Sequence, residues 1–549
     1  MNTATPPARP PGFAVDVALV PPARRNTLRT DIAGFLGRTR RGPLPAGAGA
    51  KPSSVRVQGQ RAADALFGSI GGQMGGAVTP YALNGYFEND GRVAYVVRLG
   101  GPNCRTASAL WDLCGQLAAP KTPGVTNCFA YARFSVCASS PGLWANGAQV
   151  TLSYSRQGVS GVPSIDVQTV AAAETTEVIR GVSPATFADQ VNATSALIRV
   201  RPVAGSEQVP PTLPGSMTVS TTLTLGGGVD DPPTVETYLD AIRVLGDEPE
   251  VALIAMPDLY GDLPSTGDLN TDERLSVLAA AVALADRRKD RLVLVDVPPE
   301  LSASKDIIDW AIDPVTHKCR IVEAAASTVY PDAGRSGAVY HPWLWVPDPL
   351  GTTPEDTRKL IPPSGHVAGV ISRLDRQRGA HYTPANAPVL QAFDAATGFR
   401  SSDRAVLNAA GINLIRCFPN QGLLVWGGRT LGTEPGDVFV AHRRLLHRLV
   451  RAIHAVAEPL VFEVNGPELW LALVRAITSV LVQAYRAGAL VGASPAEAFK
   501  VQCDGQTNPP DAIDSGRVLC LVGVAPAVPM EFILLRVALD TEGRVEVSQ

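Results

Sequence analysis

The stretches VALIAM, from Val251 to Met256, and RLVLV, from Arg291 to Val295, decide the fold class of this chain. Each is a mainly apolar run of strand length, and such runs are typical of strands that are buried on both faces of a sheet. Helical patterns precede them, over Thr234 to Leu245 and over Thr271 to Arg287. This alternation of helix and strand predicts βαβ units and a partly parallel sheet.

Further strands and helices follow on the C-terminal side. The sequence predicts strands at Ile412 to Cys417, Leu423 to Trp426, Phe499 to Cys503 and Arg517 to Val524, and helices at Val438 to Val456 and Pro467 to Ala487. The second of these helices has Asn465 as an N-cap and Gly488 just past its end. Because charged and polar residues interrupt its apolar run, we expect a buried helix and not a membrane span.

The segment from residue 101 to residue 234 differs in character from its surroundings. Thr, Ser, Val and Gly dominate it, as in Val150 to Tyr154 and Ser220 to Leu225. Period-two alternation between Gly and Pro breaks is typical of short strands. We therefore predict a multidomain α/β and α+β chain, in which a β-rich insertion interrupts a mixed-sheet core.

Both ends of the chain carry strand-forming residues. Near the N-terminus, Phe13, Val15 and Val17 belong to an apolar segment that Pro21 and Pro22 close off. At the C-terminus, the sequence EFILLRVALDTEGRVEVSQ alternates through Phe532, Leu534 and Arg536 and again after a turn-like DTEG. Neither end has a partner at two-residue hairpin spacing. A loose terminal strand is an aggregation risk, so each end either pairs within the chain or serves a neighbouring one.

Composition excludes several classes of protein. The 549 residues include 48 Lys and Arg against 51 Asp and Glu, for a net charge of -3. This balance argues against a general nucleic-acid binder, and 45% hydrophobic residues exclude a mostly disordered chain. The start has no apolar signal region, so we expect no secretory signal. None of the eight cysteines forms C-x-x-C, so we expect reduced thiols and no structural metal.

Catalytic motifs are lacking in the sequence: it contains no G-x-S-x-G, H-E-x-x-H or G-x-x-x-x-G-K-[ST]. Asp258 and Asp296 each follow a strand of the βαβ region, where ligand sites of open sheets lie. An α/β enzyme that uses these carboxylates is therefore the alternative hypothesis. Both residues also stand near prolines, as strand ends do, and a structural role is favoured.

A basic stripe is predicted on the helix over residues 438–456. Arg444, Arg448 and Arg451 recur at helical spacing, opposite an apolar set that contains Leu446 and Leu449. Two interpretations remain open: the stripe is a solvated face, or it docks an acidic protein surface.

Taken together, these segments resemble the sheath proteins of contractile phage tails and related injection machines. The resemblance rests on TDIAGFLGRTRRGP, PYALNGYFENDGRVAYVVR, PSGHVAG, VWGGRT, FEVN with Trp470, GALVG, AEAF, DSGR and GVAP. The matched segments are densest in the C-terminal part of the chain and sparsest in the insertion.

The resemblance implies a non-catalytic subunit that polymerises helically around an inner tube and contracts to drive the tube through a target envelope. It implies no cofactor and no metal. The implied partners are further sheath subunits (including paralogous ones), the tube protein, the baseplate proteins and the terminal cap proteins. Binding to nucleic acid and insertion into a membrane are not expected. The terminal arms would add strands to neighbouring subunits, through Phe13, Val15, Val17, Phe532, Leu534 and Arg536, and Arg444, Arg448 and Arg451 would dock the tube. Assembly is expected in a bacterial cytoplasm, within a phage tail or tail-like particle that lysis releases.

Composition and pattern divide the chain into six parts, and the resemblance implies their places in a sheath. These are an N-terminal arm (1–22), a first core part (23–100), a β-rich inserted outer domain (101–234), a second core part (235–400), a tube-facing C-terminal domain (401–530) and a C-terminal arm (531–549).

Overall fold

The structure is a computed structural model of the chain. It describes residues 28–45, 51–70, 77–112, 133–156, 162–171, 175–204, 217–261, 269–316, 318–324, 333–352, 357–434, 436–460, 463–514, 517–527, 536–539 and 545–548.

The described residues form twenty-two strands and thirteen α-helices. The strands are β1 Ala33–Gly37, β2 Ser54–Gln58, β3 Val93–Arg98, β4 Ser108–Asp112, β5 Arg133–Ala138, β6 Gln149–Arg156, β7 Ser164–Ala171, β8 Thr175–Val182, β9 Ile198–Pro202, β10 Met217–Thr224, β11 Leu253–Ala255, β12 Leu292–Asp296, β13 Gly337–His341, β14 Leu344–Pro347, β15 Arg358–Ile361, β16 Asp394–Ala395, β17 Ile412–Phe418, β18 Gly422–Trp426, β19 Phe499–Gln502, β20 Leu521–Val524, β21 Arg536–Leu539 and β22 Val545–Ser548. The helices are α1 Gln60–Phe67, α2 Thr79–Glu88, α3 Phe187–Thr194, α4 Val235–Asp247, α5 Thr271–Arg288, α6 Ser304–Ala311, α7 Arg320–Ala324, α8 Ser364–Arg378, α9 Ser401–Ala409, α10 Val440–Ala457, α11 Pro467–Arg486, α12 Pro495–Ala498 and α13 Pro510–Asp514.

An eight-stranded mixed sheet forms the core, in the order β18-β17-β13-β12-β11-β1-β3-β2. β11 and β12 pair in parallel, with Leu253 opposite Leu292. Only the outermost strands, β2 and β18, run antiparallel to their neighbours. The predicted mixed sheet with βαβ units is confirmed.

Helices cover both faces of this sheet. On one face, α5 begins at a capping box in which Asn270 and Glu273 each satisfy the other's backbone N–H. On the other face, α8 approaches α2 so closely that a Cβ on Gly369 would lie 2.6 Å from the carbonyl oxygen of Tyr86. Since only glycine leaves that space open, the two helices pack backbone to backbone.

The β-rich segment has a hydrophobic core of its own. Its strands form one sheet in the order β10-β6-β7-β8 and a second in the order β4-β5-β9. Trp111, Phe134 and Phe187 pack together in this core, with Phe187 edge to face against the other two rings at centroid distances of 5.3 and 5.2 Å. A core that does not share side chains with the central sheet lets this segment fold as a separate unit.

At the C-terminal side, α10 and α11 pack against each other through Leu445, Leu449, Ile477 and Leu481. The prediction that the second helix is buried is wrong, since Leu471 is 50% exposed. Among the described residues, α11 is the one helix with the length and composition to cross a membrane. A single such helix is weak support for a span, and the apolar character of α11 is explained in part by its contact with α10.

Candidate functional site

The C-terminal end forms a hairpin, called here the terminal hairpin, in which β21 pairs antiparallel with β22 and Arg536 lies opposite Ser548. The sequence signals no partner at two-residue hairpin spacing, and the structure instead pairs the two strands across a longer connection. The alternation on both sides of DTEG marked both strands. Within the described part of the chain, the terminal hairpin joins no other sheet. It therefore keeps two edges on which another strand could be added.

The other arm positions fall outside the described residues. Phe13, Val15, Val17, Phe532 and Leu534 have no described placement. Of the predicted arm residues, the structure places Arg536 alone, at the start of β21.

A second two-stranded sheet, called here the C-terminal ribbon, consists of β19 and β20. One of its faces packs on the α10–α11 core through Phe499, Val501 and Val524. At its open end, Leu519 and Leu521 are 52% and 51% exposed. Such exposed apolar residues on an open ribbon are a surface for strand addition.

The backbone register of the C-terminal ribbon shows which groups face outward. The N–H of Ala525 donates to the carbonyl oxygen of Ala498 directly opposite it, at 2.9 Å, so this is a hydrogen-bonded pair. Pair type alternates along an antiparallel ladder, and Val501 and Val522 are therefore a non-hydrogen-bonded pair. The N–H and C=O of Val522 then point away from β19, toward the edge of β20 that pairs with no other strand among the described residues.

Two of the three arginines in the predicted basic stripe on α10, Arg444 and Arg451, do not face solvent. Arg444 is buried and donates to the carboxylate of Asp375 and to the carbonyl oxygen of Thr30, both at 2.7 Å. The Thr30 hydroxyl donates to the same Asp375 oxygen at 2.5 Å. Arg444 therefore joins α10 to α8 and to the segment before β1.

Arg451, two turns further along α10, also connects this helix to other segments of the subunit. Its guanidinium donates to the carbonyl oxygens of Arg29 at 2.7 Å and Val251 at 2.5 Å. Burial lowers the pKa of Arg451 to about 10, because desolvation outweighs the attraction of Asp290. At that pKa the side chain remains charged at neutral pH.

These contacts correct the expectation of a tube-docking stripe of three exposed arginines. Arg444 and Arg451 already have partners inside the subunit, whereas the Arg448 side chain is 52% exposed and lies 3.7 Å from Asp375. The competing interpretation of a solvated face is wrong for the same two residues. Helical spacing indicates which residues share a face of the helix, but not whether water or protein covers that face.

Asp258 holds together three parts of the α/β core. Its carboxylate accepts from the backbone N–H of Arg38 at 2.6 Å and of Val78 at 2.7 Å, and from the Thr79 hydroxyl. Burial raises its pKa and these donors oppose the rise. Beside it lies a cavity of only about 20 Å³, enough for about one water molecule. The arrangement fits a structural role.

Asp296 stabilises the start of α8. Its carboxylate accepts from the backbone N–H of Ser364 at 2.9 Å, at a helix N-terminus where a negative charge is favoured. Full burial nevertheless raises its pKa to about 7. The carboxyl group is therefore partly protonated at neutral pH.

Replacing either carboxylate is expected to leave assembly unaffected. For Asp296→Asn we expect a pH-dependent change in unfolding free energy relative to the unchanged chain. The folded-state pKa of about 7 lies above the ordinary 3.8, so the protonated form contributes stability that is full below pH 3.8 and is lost as pH rises through 7. An Asn side chain does not titrate, so the variant lacks this decrease of unfolding free energy with pH, which reaches about 1.4 kcal/mol per pH unit.

Urea unfolding at several pH values measures that difference, with Asp258→Asn as the comparison. An enzymatic turnover that disappears in either variant would favour the α/β enzyme instead.

Comparison with known proteins connects the core to one family. Residues 233–431 match the model of the phage tail sheath protein central domain. The chain is 25% identical over 359 residues to the tail sheath protein of Vibrio phage KVP40, an alignment that covers 62% of this chain and 50% of that protein. It is 26% identical over 197 residues to the tail sheath protein of Salmonella phage ViI, covering 35% and 30% of the two chains. The chain thus spans half or less of the curated relatives' lengths.

Solved structures share the fold along nearly the whole chain. A chain of the anti-feeding prophage baseplate has a TM-score of 0.56 at 20% identity, covering 97% of this chain and 100% of that one. A chain of the anti-feeding prophage helical sheath in its contracted state gives 0.54, covering 96% and 99%. The sheath tail protein from Listeria innocua gives 0.55 at 13% identity, covering 90% and 94%. The resemblance to contractile sheath proteins is confirmed.

Proposed function

We propose that this chain, which carries the central domain of phage tail sheath proteins in residues 233–431, is a structural subunit of a contractile sheath. It would polymerise helically around an inner tube and shorten to drive that tube through a target envelope. The observation that carries the proposal, beside the family match, is the pair of open two-stranded sheets at the C-terminal end. Among the described residues, one of them pairs with no further strand of the subunit body, and the other lies in the last residues of the given sequence.

Open strand edges of this kind support head-to-tail assembly. A terminal strand that pairs with the ribbon of the next subunit makes a heterologous contact, and such contacts generate open helical filaments where the rotation does not close a ring. Backbone hydrogen bonds supply the affinity, and alternate side chains fix the register. In this proposal Phe13, Val15, Val17, Phe532, Leu534 and Arg536 belong to the strands that cross between subunits.

Contraction requires two packings of the same subunits. A long-lived extended state can store free energy behind a barrier and release it when a trigger lowers that barrier. Strand connections between subunits would keep the lattice continuous while the bodies move. The subunit would have no catalytic role, in keeping with Asp258 and Asp296 as structural groups.

The proposed partners follow from the assembly. They are further copies of this chain or related sheath subunits, an inner tube protein, and the baseplate and cap proteins at the two ends. The β-rich insertion, whose separate core supports its being an independent unit, would lie on the outside, and residues 401–530 would face the tube. Of the three predicted docking arginines, Arg448 is the one whose exposure suits contact with an acidic tube surface. Assembly would take place in a bacterial cytoplasm, and the particle would leave the cell on lysis.

Expression of the chain alone tests the proposal. We expect long tubes, or a broad distribution of filament lengths, in negative-stain electron micrographs, because sheath contacts propagate without a closed end. A discrete small oligomer at all concentrations would instead support the α/β enzyme.

A further inference from the structure

Two cysteines directly follow the last paired residues at the open end of the C-terminal ribbon. Extending by one residue the register that places Gln502 opposite Leu521 makes Cys503 and Cys520 the next pair. Both thiols are free. The alternation counted from Ala498 and Ala525 makes this cysteine pair a non-hydrogen-bonded one, the type with the closer side chains.

This geometry suits a disulfide. Non-hydrogen-bonded antiparallel pairs have Cα atoms about 4.5 Å apart, within the range of about 4.4–6.8 Å that disulfides span. The two thiols also interact directly: burial and the Cys503 thiol raise the pKa of Cys520 to about 12.

A buried asparagine holds the two cysteines in position. The Asn508 side-chain amide accepts from the N–H of Leu519 at 2.6 Å and donates to the Leu519 carbonyl oxygen at 3.1 Å. The same amide lies 3.7 Å from the Cys503 sulfur. Since Leu519 adjoins Cys520, Asn508 contacts both of the segments that carry the thiols.

We propose that Cys503 and Cys520 are a redox modification site that forms an intrachain disulfide with a low-molecular-weight disulfide such as glutathione disulfide. One cysteine thiolate attacks the oxidant, forms a mixed disulfide and releases one glutathione. The second cysteine thiolate then attacks the protein sulfur of that mixed disulfide and releases the second glutathione. The protein loses two thiol protons and two electrons, and the oxidant becomes two glutathione thiols.

The link would form outside the reducing cytoplasm, where disulfides persist. It would close residues 504–519 into a loop at the end of the C-terminal ribbon. If this ribbon accepts strands from neighbouring subunits, a consequence that rests on the proposed function, oxidation would stiffen the acceptor after the particle leaves the cell. Because the thiolate is the attacking species and the pKa of Cys520 is raised, the reaction should be faster at higher pH.

Peptide mapping of the full chain tests the site. Trypsin cuts after Lys500, Arg517 and Arg536 and so separates the two cysteines. After oxidation with glutathione disulfide and alkylation of remaining thiols, we expect peptides 501–517 and 518–536 as one linked species that a reductant separates. This readout uses the isolated subunit and does not depend on assembly.

Two kinds of variant serve as controls. Cys417→Ser removes an exposed cysteine of β17 and should leave the link intact. Cys503→Ser should replace the link with a glutathione adduct on Cys520. If the unsubstituted chain under the same oxidation yields only separate adducts or alkylated thiols on the two peptides, or links either cysteine to a different one, the proposal is wrong.

Discussion

Removing residues 1–20, or ending the chain near Val528, is expected to give folded subunits that no longer polymerise. Among the described residues, neither deletion removes a strand of the eight-stranded sheet or a helix of its covering layers, so we expect the hydrophobic core to remain. The second deletion removes the terminal hairpin, whose strands pair only with each other among the described residues. Light scattering should report a monomer mass, and circular dichroism should match that of the full chain.

A backbone change on the C-terminal ribbon tests the receiving side of the same contact. The N–H of Val522 points toward the free edge, so Val522→Pro removes a donor for an added strand without removing a bond to β19. Leu521→Pro, one residue earlier, removes a ladder bond to Gln502. We expect Val522→Pro to remain folded and lose assembly, and Leu521→Pro to disrupt the ribbon itself.

Long filaments from both truncated chains would contradict the role of the arms. If only the Val522→Pro variant forms long filaments, the edge of the C-terminal ribbon that receives the neighbouring strand is the one along β19. The two results are distinguishable in the same electron micrographs, because the truncations remove the added strand and the proline alters one receiving edge.

The central sheet could be predicted from the sequence because its signals are local. The runs around Leu253 and Leu292 are apolar over strand length, and helices with clear start signals, such as the Asn270 cap, separate them. The local sequence therefore predicts whether each segment is a helix or a strand. The right-handed βαβ connection then leaves few possible arrangements of these elements.

The role of the α10 arginines could not be predicted, because their partners are remote in sequence. Arg444 pairs with Asp375 and with Thr30, which lies 414 residues away. A basic face against water and a basic face against carbonyl oxygens have the same helical spacing. The same limit applies to Cys503 and Cys520, whose opposition depends on the register of a sheet and not on a short motif.

The second large expected effect concerns stability and the contact of Arg444 with Asp375 and Thr30. Arg444→Met should lower the free energy of unfolding by about 3–5 kcal/mol, because it leaves the Asp375 carboxylate buried without its principal cation. Arg448→Met is the matched control, one turn further along the same face of α10 and half exposed. We expect it to change stability by ~0.5 kcal/mol or less. Urea unfolding followed by tryptophan fluorescence measures both variants.

A double variant separates the loss of an ion pair from a loss of packing. Asp375→Asn keeps an acceptor for the Thr30 hydroxyl and removes the charge that Arg444→Met leaves unpaired. Arg444→Met combined with Asp375→Asn should therefore be more stable than Arg444→Met alone, and the two changes should not be additive. If the double variant loses the sum of the single losses, the guanidinium acts through packing and its carbonyl contact with Thr30. In that case, the charge of Asp375 does not hold α10 on the core.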